Sequence, residues 1–159
     1  MPKFFFLLLW CVFVSICSKE TVRGLNLGGW LILESWITPS LFTQFENLPF
    51  EKRAVDEFTF NQRLVREEAQ KQLEQHWSTW VKEEDFSRIH EYGFTHVRIP
   101  IGWWIFGDSN EFAHNISYLD QGLDWAQKYD IKVLLDLHGA PGSQNGLDSS
   151  GVACRSTFE

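Results

Sequence analysis

Ile131–Leu137 reads IKVLLDL, a near-continuous apolar run of strand length. A run of this kind is expected of a parallel strand covered on both faces, since neither face meets solvent. Upstream of it, Tyr118, Leu119, Leu123, Trp125, Ala126 and Tyr129 form a broad apolar helical face. Ser117 with Asp120 three residues on has the pattern of a capping box at the start of that helix. Thr95–Ile99 (THVRI) is short and β-branched, a buried strand that Pro100 is expected to end. Before it, Glu83, Glu84 and Asp85 suit the positive end of a helix, with Phe86 and Ile89 inward and Gly93 as the stop. Leu64, Ala69, Leu73 and Trp77 give an earlier helical stripe. Thr21–Leu27 (TVRGLNL) predicts a first strand ended by Gly28-Gly29, followed by an irregular apolar segment from Trp30 to Phe45 and a loop from Asn47 to Lys52. The order is strand, helices, strand, helix, strand, then the turn-rich stretch His138–Gly151. That alternation implies an α/β fold with a parallel sheet.

The bulk properties narrow the function. The 159 residues carry a formal net charge of -7 and no run of Lys or Arg, which argues against nucleic acid or an anionic membrane surface as partner. A neutral substrate fits better. Eight Trp and 14 Phe are many for this length; Trp rings either stack on flat sugar faces or fill a core, and composition does not separate the two. Lys3 followed by the apolar stretch Phe4–Ile16 has the form of a secretory signal, with residues 1–18 removed after Cys17 or Ser18. The apolar run is shorter than the roughly 20 residues a membrane span needs. Removal of Cys11 and Cys17 leaves Cys154 alone, which in a secreted chain points to a missing partner or a free thiol. Asn115-Ile116-Ser117 is a glycosylation sequon compatible with secretion. His76, His90, His96 and His114 have no metal-ligand spacing, and HExxH, GxGxxG, GxSxG and a P-loop are all lacking, so neither metal nor cofactor is expected.

Three polar side chains fall near predicted strand ends: Asn26, Arg98 and His138. An Arg there orients a carboxylate or makes a structural ion pair. A His there donates to a sugar hydroxyl or is a satisfied core histidine. Glu34 follows the apolar run Trp30–Leu33, where burial is costly unless the charge is paired. It either grips sugar hydroxyls or is a solvated loop charge.

Four segments in order are specific enough to name a family. VRGLNLGGWLILESWITPSLF (22–42), HWSTWVKEEDF (76–86), HVRIPIGWW (96–104) and DLHGAPGSQNG (136–146) resemble glycoside hydrolase family 5, closest to the fungal-type exo-β-1,3-glucanases. The resemblance implies a (β/α)₈ TIM barrel, of which this chain carries only the first three or so β/α units, in residues 19–151. It implies a retaining mechanism with two Glu, one of them in an Asn-Glu-Pro motif. No Asn-Glu-Pro occurs here; Asn110-Glu111 continues into Phe112. Neither catalytic Glu is present, so the supporting residues are what carry over. Arg98 matches the Arg that steadies the nucleophile, and His138 the His that lines the −1 subsite. Glu34 matches the Glu that grips the terminal glucose, Trp36 an aromatic of the same pocket, and Asp148 an acid on the loop after the third strand. Leu147 stands where the glucanases usually carry Phe, and Ser149 replaces a common Asn. Residues 152–159 (VACRSTFE) do not resemble the family's continuation.

The expected function is a fragment of a secreted, extracellular or cell-wall hydrolase that releases glucose from β-1,3-glucan, inactive as these residues stand. Two other readings remain open at this point: a non-catalytic secreted glucan-binding chain, and another family 5 β-glycosidase. Three strands of an eight-stranded barrel also leave an apolar edge, and marginal stability is expected of it.

Overall fold

A computed structural model describes residues 21–107 and 109–153. The expected signal segment 1–18 and Cys154 lie outside those residues. The elements, in order, are β1 (Gly24–Asn26), α1 (Pro39–Phe42), α2 (Glu57–Arg63), α3 (Arg66–Trp80), α4 (Glu83–Glu91), β2 (His96–Gly102), α5 (Ser117–Lys128) and β3 (Lys132–Gly139), with 3₁₀ turns at Thr43–Phe45, Phe50–Lys52, Trp103–Phe106 and Asp148–Ser150. The strands form one parallel sheet in the order β1-β2-β3. Asn26 is opposite Arg98, and Pro100 is opposite Asp136.

Side-chain alternation divides the sheet into two faces. Val97, Ile99 and Ile101 on β2 are buried and pack with Leu73 and Trp77 of α3, Phe86 and Ile89 of α4, and Leu119 and Ala126 of α5. The helices therefore cover one face, as the apolar stripes require. Arg98, on the other parity, faces away from them with Asn26, Asp136 and His138. A second, smaller cluster of Ile32, Trp104 and Phe112 closes the C-terminal end of the sheet.

Several expected boundaries shift for physical reasons. Pro100 does not end its strand; β2 continues to Gly102. Thr95 O accepts from Lys132 of β3 and Arg98 O accepts from Leu27, so odd residues of β2 face β3 and even ones face β1. The missing N–H of Pro100 therefore points to the side where β1 has already stopped, and no ladder bond is lost. β1 itself is only three residues long. Leu64 leaves the expected helical stripe: it caps α2, while Ala69, Leu73 and Trp77 lie on α3. At α5 the Ser117–Asp120 box does not form. Asn115 makes the turn instead, its amide oxygen accepting from Ser117 N at 3.1 Å and Ser117 Oγ at 2.6 Å. The acidic start of α4 is as expected, with Asp85 accepting from Lys82 N at 2.9 Å, and the helix stops at Gly93 (φ +75°).

The largest difference concerns IKVLLDL. On β3, Leu134 is 60% exposed, Leu135 45% and Leu137 54%. Both faces are open because β3 is the edge of this sheet. We predict that the chain self-associates through this edge. Leu134→Lys with Leu137→Lys should raise the concentration at which association begins by about tenfold or more, given roughly 1.5–3 kcal/mol per buried leucine. Sedimentation velocity over a concentration series reads this directly; unchanged association in the double variant would place the contact elsewhere.

Candidate active site

Two glycines open the site. After β1 the chain turns through Gly28 and Gly29, the latter at φ +68°, a conformation costly to any residue with a side chain. Helix α3 holds this turn from below. His76 Nε2 lies 2.6 Å from Gly29 O, and Trp80 Nε1 donates to Gly28 O at 3.1 Å. Because a carbonyl only accepts, Nε2 of His76 carries the proton. Burial lowers the His76 pKa, and the contacts with Gly29 and Trp30 only partly oppose this. His76 is thus a neutral brace for the turn.

Beyond the turn the chain folds back so that Glu34 is buried. Its Oε1 accepts from Gly29 N at 3.2 Å, and its carbonyl accepts from Ile37 N, Thr38 N and Thr38 Oγ1. A Cβ on Gly28 would sit 2.9 Å from Asn26 Nδ2 and 3.2 Å from Glu34 Oε1. Only a glycine lets the end of β1 and the Glu34 carboxylate come this close. Trp36, two residues on, is 57% exposed.

Across the sheet, four polar groups converge on the face away from the helices. Arg98 Nη1 donates to Asn26 Oδ1 at 2.8 Å, and Nη2 donates to Asp136 Oδ2 at 2.5 Å. His138 Nδ1 is 2.9 Å from the same Asp136 oxygen and 3.0 Å from Arg98 Nη2. If Nδ1–H is donated to Asp136, Nε2 offers a lone pair in the neutral ring and an N–H in the charged one. If Nδ1 instead accepts from Arg98, Nε2 holds the proton. Either way, no partner among the described residues takes the outer nitrogen of His138, which can meet a ligand hydroxyl. Arg98 still has N–H groups beyond those engaged, enough to reach a further carboxylate.

On the loop after β3, Asp148 opens a 3₁₀ turn. Its Oδ2 accepts from Ser35 Oγ at 3.3 Å and its Oδ1 from Ser149 N at 3.0 Å. Ser35 lies between Glu34 and Trp36, so the loops after β1 and β3 meet there. Leu147 stands beside this junction, 57% exposed. The structure therefore brings Glu34, Arg98 and His138 to one rim and ties Asp148 and Trp36 to it through the loops. Asn115 belongs elsewhere, at the start of α5. Among the described residues no group of three or more His, Cys, Asp or Glu is placed to hold a metal.

Three acids escaped the sequence reading. Asp136 links Arg98 to His138, and its signal was available: it lies two residues before His138, the spacing that puts both on one face of a strand. Asp56 and Glu57 are each about 1% exposed. Glu57 accepts from Leu33 N at 2.7 Å and from Trp104 Nε1 at 2.8 Å. Burial, with Asp56 adding to it, pushes the Glu57 pKa up to about 7 against the pull of those two donors. Nothing in a DE pair ahead of a helix marks it as buried.

Residues 58–154 match the family described as Cellulase (glycosyl hydrolase family 5). The chain belongs to glycosyl hydrolase family 5. It is 51% identical over 145 residues to glucan 1,3-beta-glucosidase 2 of Wickerhamomyces anomalus, covering 89% of this chain and 33% of that protein. It is 50% identical over 140 residues to the sporulation-specific glucan 1,3-beta-glucosidase of Saccharomyces cerevisiae, covering 84% of this chain and 32% of that one. The chain thus spans about a third of the length of the relatives it matches. Among solved structures, rutinosidase from Aspergillus niger superposes with a TM-score of 0.73 at 26% identity, over 86% of this chain and 38% of the other. The three parallel strands and the helices between them are accordingly part of a family 5 (β/α)₈ barrel, and the polar cluster lies on the face of the sheet that such a barrel encloses.

Proposed function

We propose that this family 5 chain contributes the glucose-gripping side of an exo-acting β-1,3-glucosidase pocket. The observation that carries the reading is the polar line Asn26–Arg98–Asp136–His138 across three parallel strands, facing away from the helices. It occurs in a chain half identical to proteins named glucan 1,3-beta-glucosidase. In this reading Glu34 accepts from two hydroxyls of the terminal glucose, Trp36 stacks on its ring, and His138 Nε2 and Asp148 bind further hydroxyls. Arg98 holds a nucleophilic Glu ionised, and a second Glu protonates the leaving oxygen, in the retaining pattern. Neither Glu is among these residues, so the 159-residue chain binds and does not cleave. Residues 1–18 direct export, the setting is extracellular or the cell wall, Asn115 carries a glycan, and residues 19–151 act as the barrel portion.

Titration calorimetry of the whole chain with a β-1,3-linked glucose trisaccharide tests this. Binding is expected, with Glu34→Ala weakening it about tenfold or more, since a hydrogen bond to a charged group contributes about 1.5–3 kcal/mol. Release of glucose should not exceed that of buffer, since acid catalysis and the covalent step are both lost. Equal affinity in wild type and Glu34→Ala, or affinity for an unrelated disaccharide alone, contradicts the proposal. A second reading, a family 5 β-glycosidase with a different leaving group, is favoured by Leu147: an aliphatic side chain replaces a ring at the pocket mouth, and aryl glycosides tighter than glucan would decide for it.

A further inference from the structure

We propose that Asp56, Glu57 and Phe58 at the start of α2 are positioning residues, a clamp that sets the loops after β1 and β3 in one arrangement and so shapes the sugar pocket. This rests on the pocket reading above and names what holds that pocket in form. Each of the three residues takes a different part of the two loops. Glu57 Oε2 accepts from Leu33 N at 2.7 Å, the residue immediately before Glu34. Phe58 N donates to Gly151 O at 2.9 Å, and Gly151 N in turn closes the Asp148 turn by donating to Asp148 O at 3.1 Å. Asp56 Oδ2 accepts from Ala153 N at 2.5 Å, while its Oδ1 caps α2 through Thr59 N at 2.6 Å.

Trp104 completes the clamp. Its indole donates to Glu57 Oε1 at 2.8 Å. Its ring leaves no room for a side chain at Gly151, where a Cβ would come within 2.2 Å. The carboxylate, the indole and the glycine therefore lock in one geometry. By contrast, the side-chain contact described between the two loops in the pocket itself is the 3.3 Å Ser35–Asp148 bond, part-buried and long. Two short, fully buried bonds to Glu57 outweigh one long, part-buried contact, and above pH 7, where Glu57 is ionised, they are charge-assisted as well and belong to the stronger class. The positions of Glu34 and Asp148 are thus set from beneath, at α2, and less by their mutual contact. Preorganisation of this kind spares the ligand the cost of ordering the loops.

The ionisation of Glu57 gives an experimental handle. Asp56 is the ionisable group beside it; from the β1 loop and the segment after β2 it meets the N–H groups of Leu33 and Trp104. Losing the carboxylate's charge weakens both bonds. In ¹⁵N–¹H spectra of the whole chain across pH, the Trp104 indole should step with a midpoint near 7. The amides of Gly29, which reports Glu34, and of Ser149, which reports Asp148, should step with it. Glu57→Gln should abolish the step at all three, and its affinity for a β-1,3-linked glucose disaccharide should fall about tenfold, as for a misplaced binding group. Stepping of Trp104 alone, with Gly29 and Ser149 flat, overturns the clamp, and the wild-type series decides this even if the variant does not fold. The disaccharide arm separates the two ideas: concerted steps without any sugar response sink the pocket reading and leave the clamp standing.

Discussion

Trp104→Ala is expected to leave the chain without a cooperative fold at room temperature. Trp104 is 2% exposed and stacks on Phe112 with ring centroids 4.0 Å apart and planes 10° apart. Gly102, Gly139 and Gly151 all approach it so closely that a Cβ on any of them would overlap its ring. The ends of β2 and β3 and the loop beyond are built around this one side chain. Replacing a buried Trp by Ala costs about 3–5 kcal/mol from lost burial and the cavity left behind. The change also strips the buried Glu57 of one of its donors, worth a further 1–3 kcal/mol or so. A domain holds only about 5–15 kcal/mol in total, and one with an open apolar edge sits low in that range. Loss of near-ultraviolet circular dichroism and of a sigmoidal urea transition is the expected result; a transition within about 1 kcal/mol of wild type would refute it.

The second large effect is a pH dependence set by Glu57. Its folded pKa of about 7 lies above the ordinary 4.5. Between those values the folded chain holds a proton that the unfolded chain has released. By linkage, stability from this group is greatest below pH 4.5, declines as pH rises to 7, and is level above. At roughly 1.4 kcal/mol for each pH unit between the two values, the full change is about 3 kcal/mol. His76 works in the opposite sense: burial depresses its pKa, so its contribution is lost as pH falls through its folded pKa. The two partly cancel in the whole chain. The difference in urea-derived stability between wild type and Glu57→Gln isolates the first: wild type should lose ground steadily relative to the variant as pH rises from about 4.5 to 7. A pH-independent difference would show that Glu57 is not protonated in the folded chain.

Much of the architecture could be read along the chain because it follows from local rules. The apolar run in β3, the acidic start of α4 and the Gly93 stop each depend on neighbours a few residues away, and each was legible. Arg98 and His138 were legible as strand residues, while Glu34 was legible only as one of two things, a carboxylate that grips sugar or a solvated loop charge. What escaped depends on distant contacts. Pro100 continues β2 only because β1 ends early on that side. Glu57 is buried only because Leu33 and Trp104, 24 and 47 residues away, supply its donors. Asp136 was missed differently: its spacing from His138 puts the two on one strand face, but an acid within IKVLLDL looks like a blemish in an apolar strand until Arg98 is set beside it. The exposure of Leu134, Leu135 and Leu137 reflects which strands are present to cover them, and no property of the run itself announces that.

The glucose-gripping rim proposed for this family 5 chain is open to direct observation. The most direct measurement is a crystal structure of the whole chain soaked with a β-1,3-linked glucose trisaccharide. A terminal glucose is expected against Trp36, hydrogen-bonded to Glu34 and to His138 Nε2, with Asp148 at its side. Sugar bound with Glu34, Arg98 and His138 all untouched would contradict it.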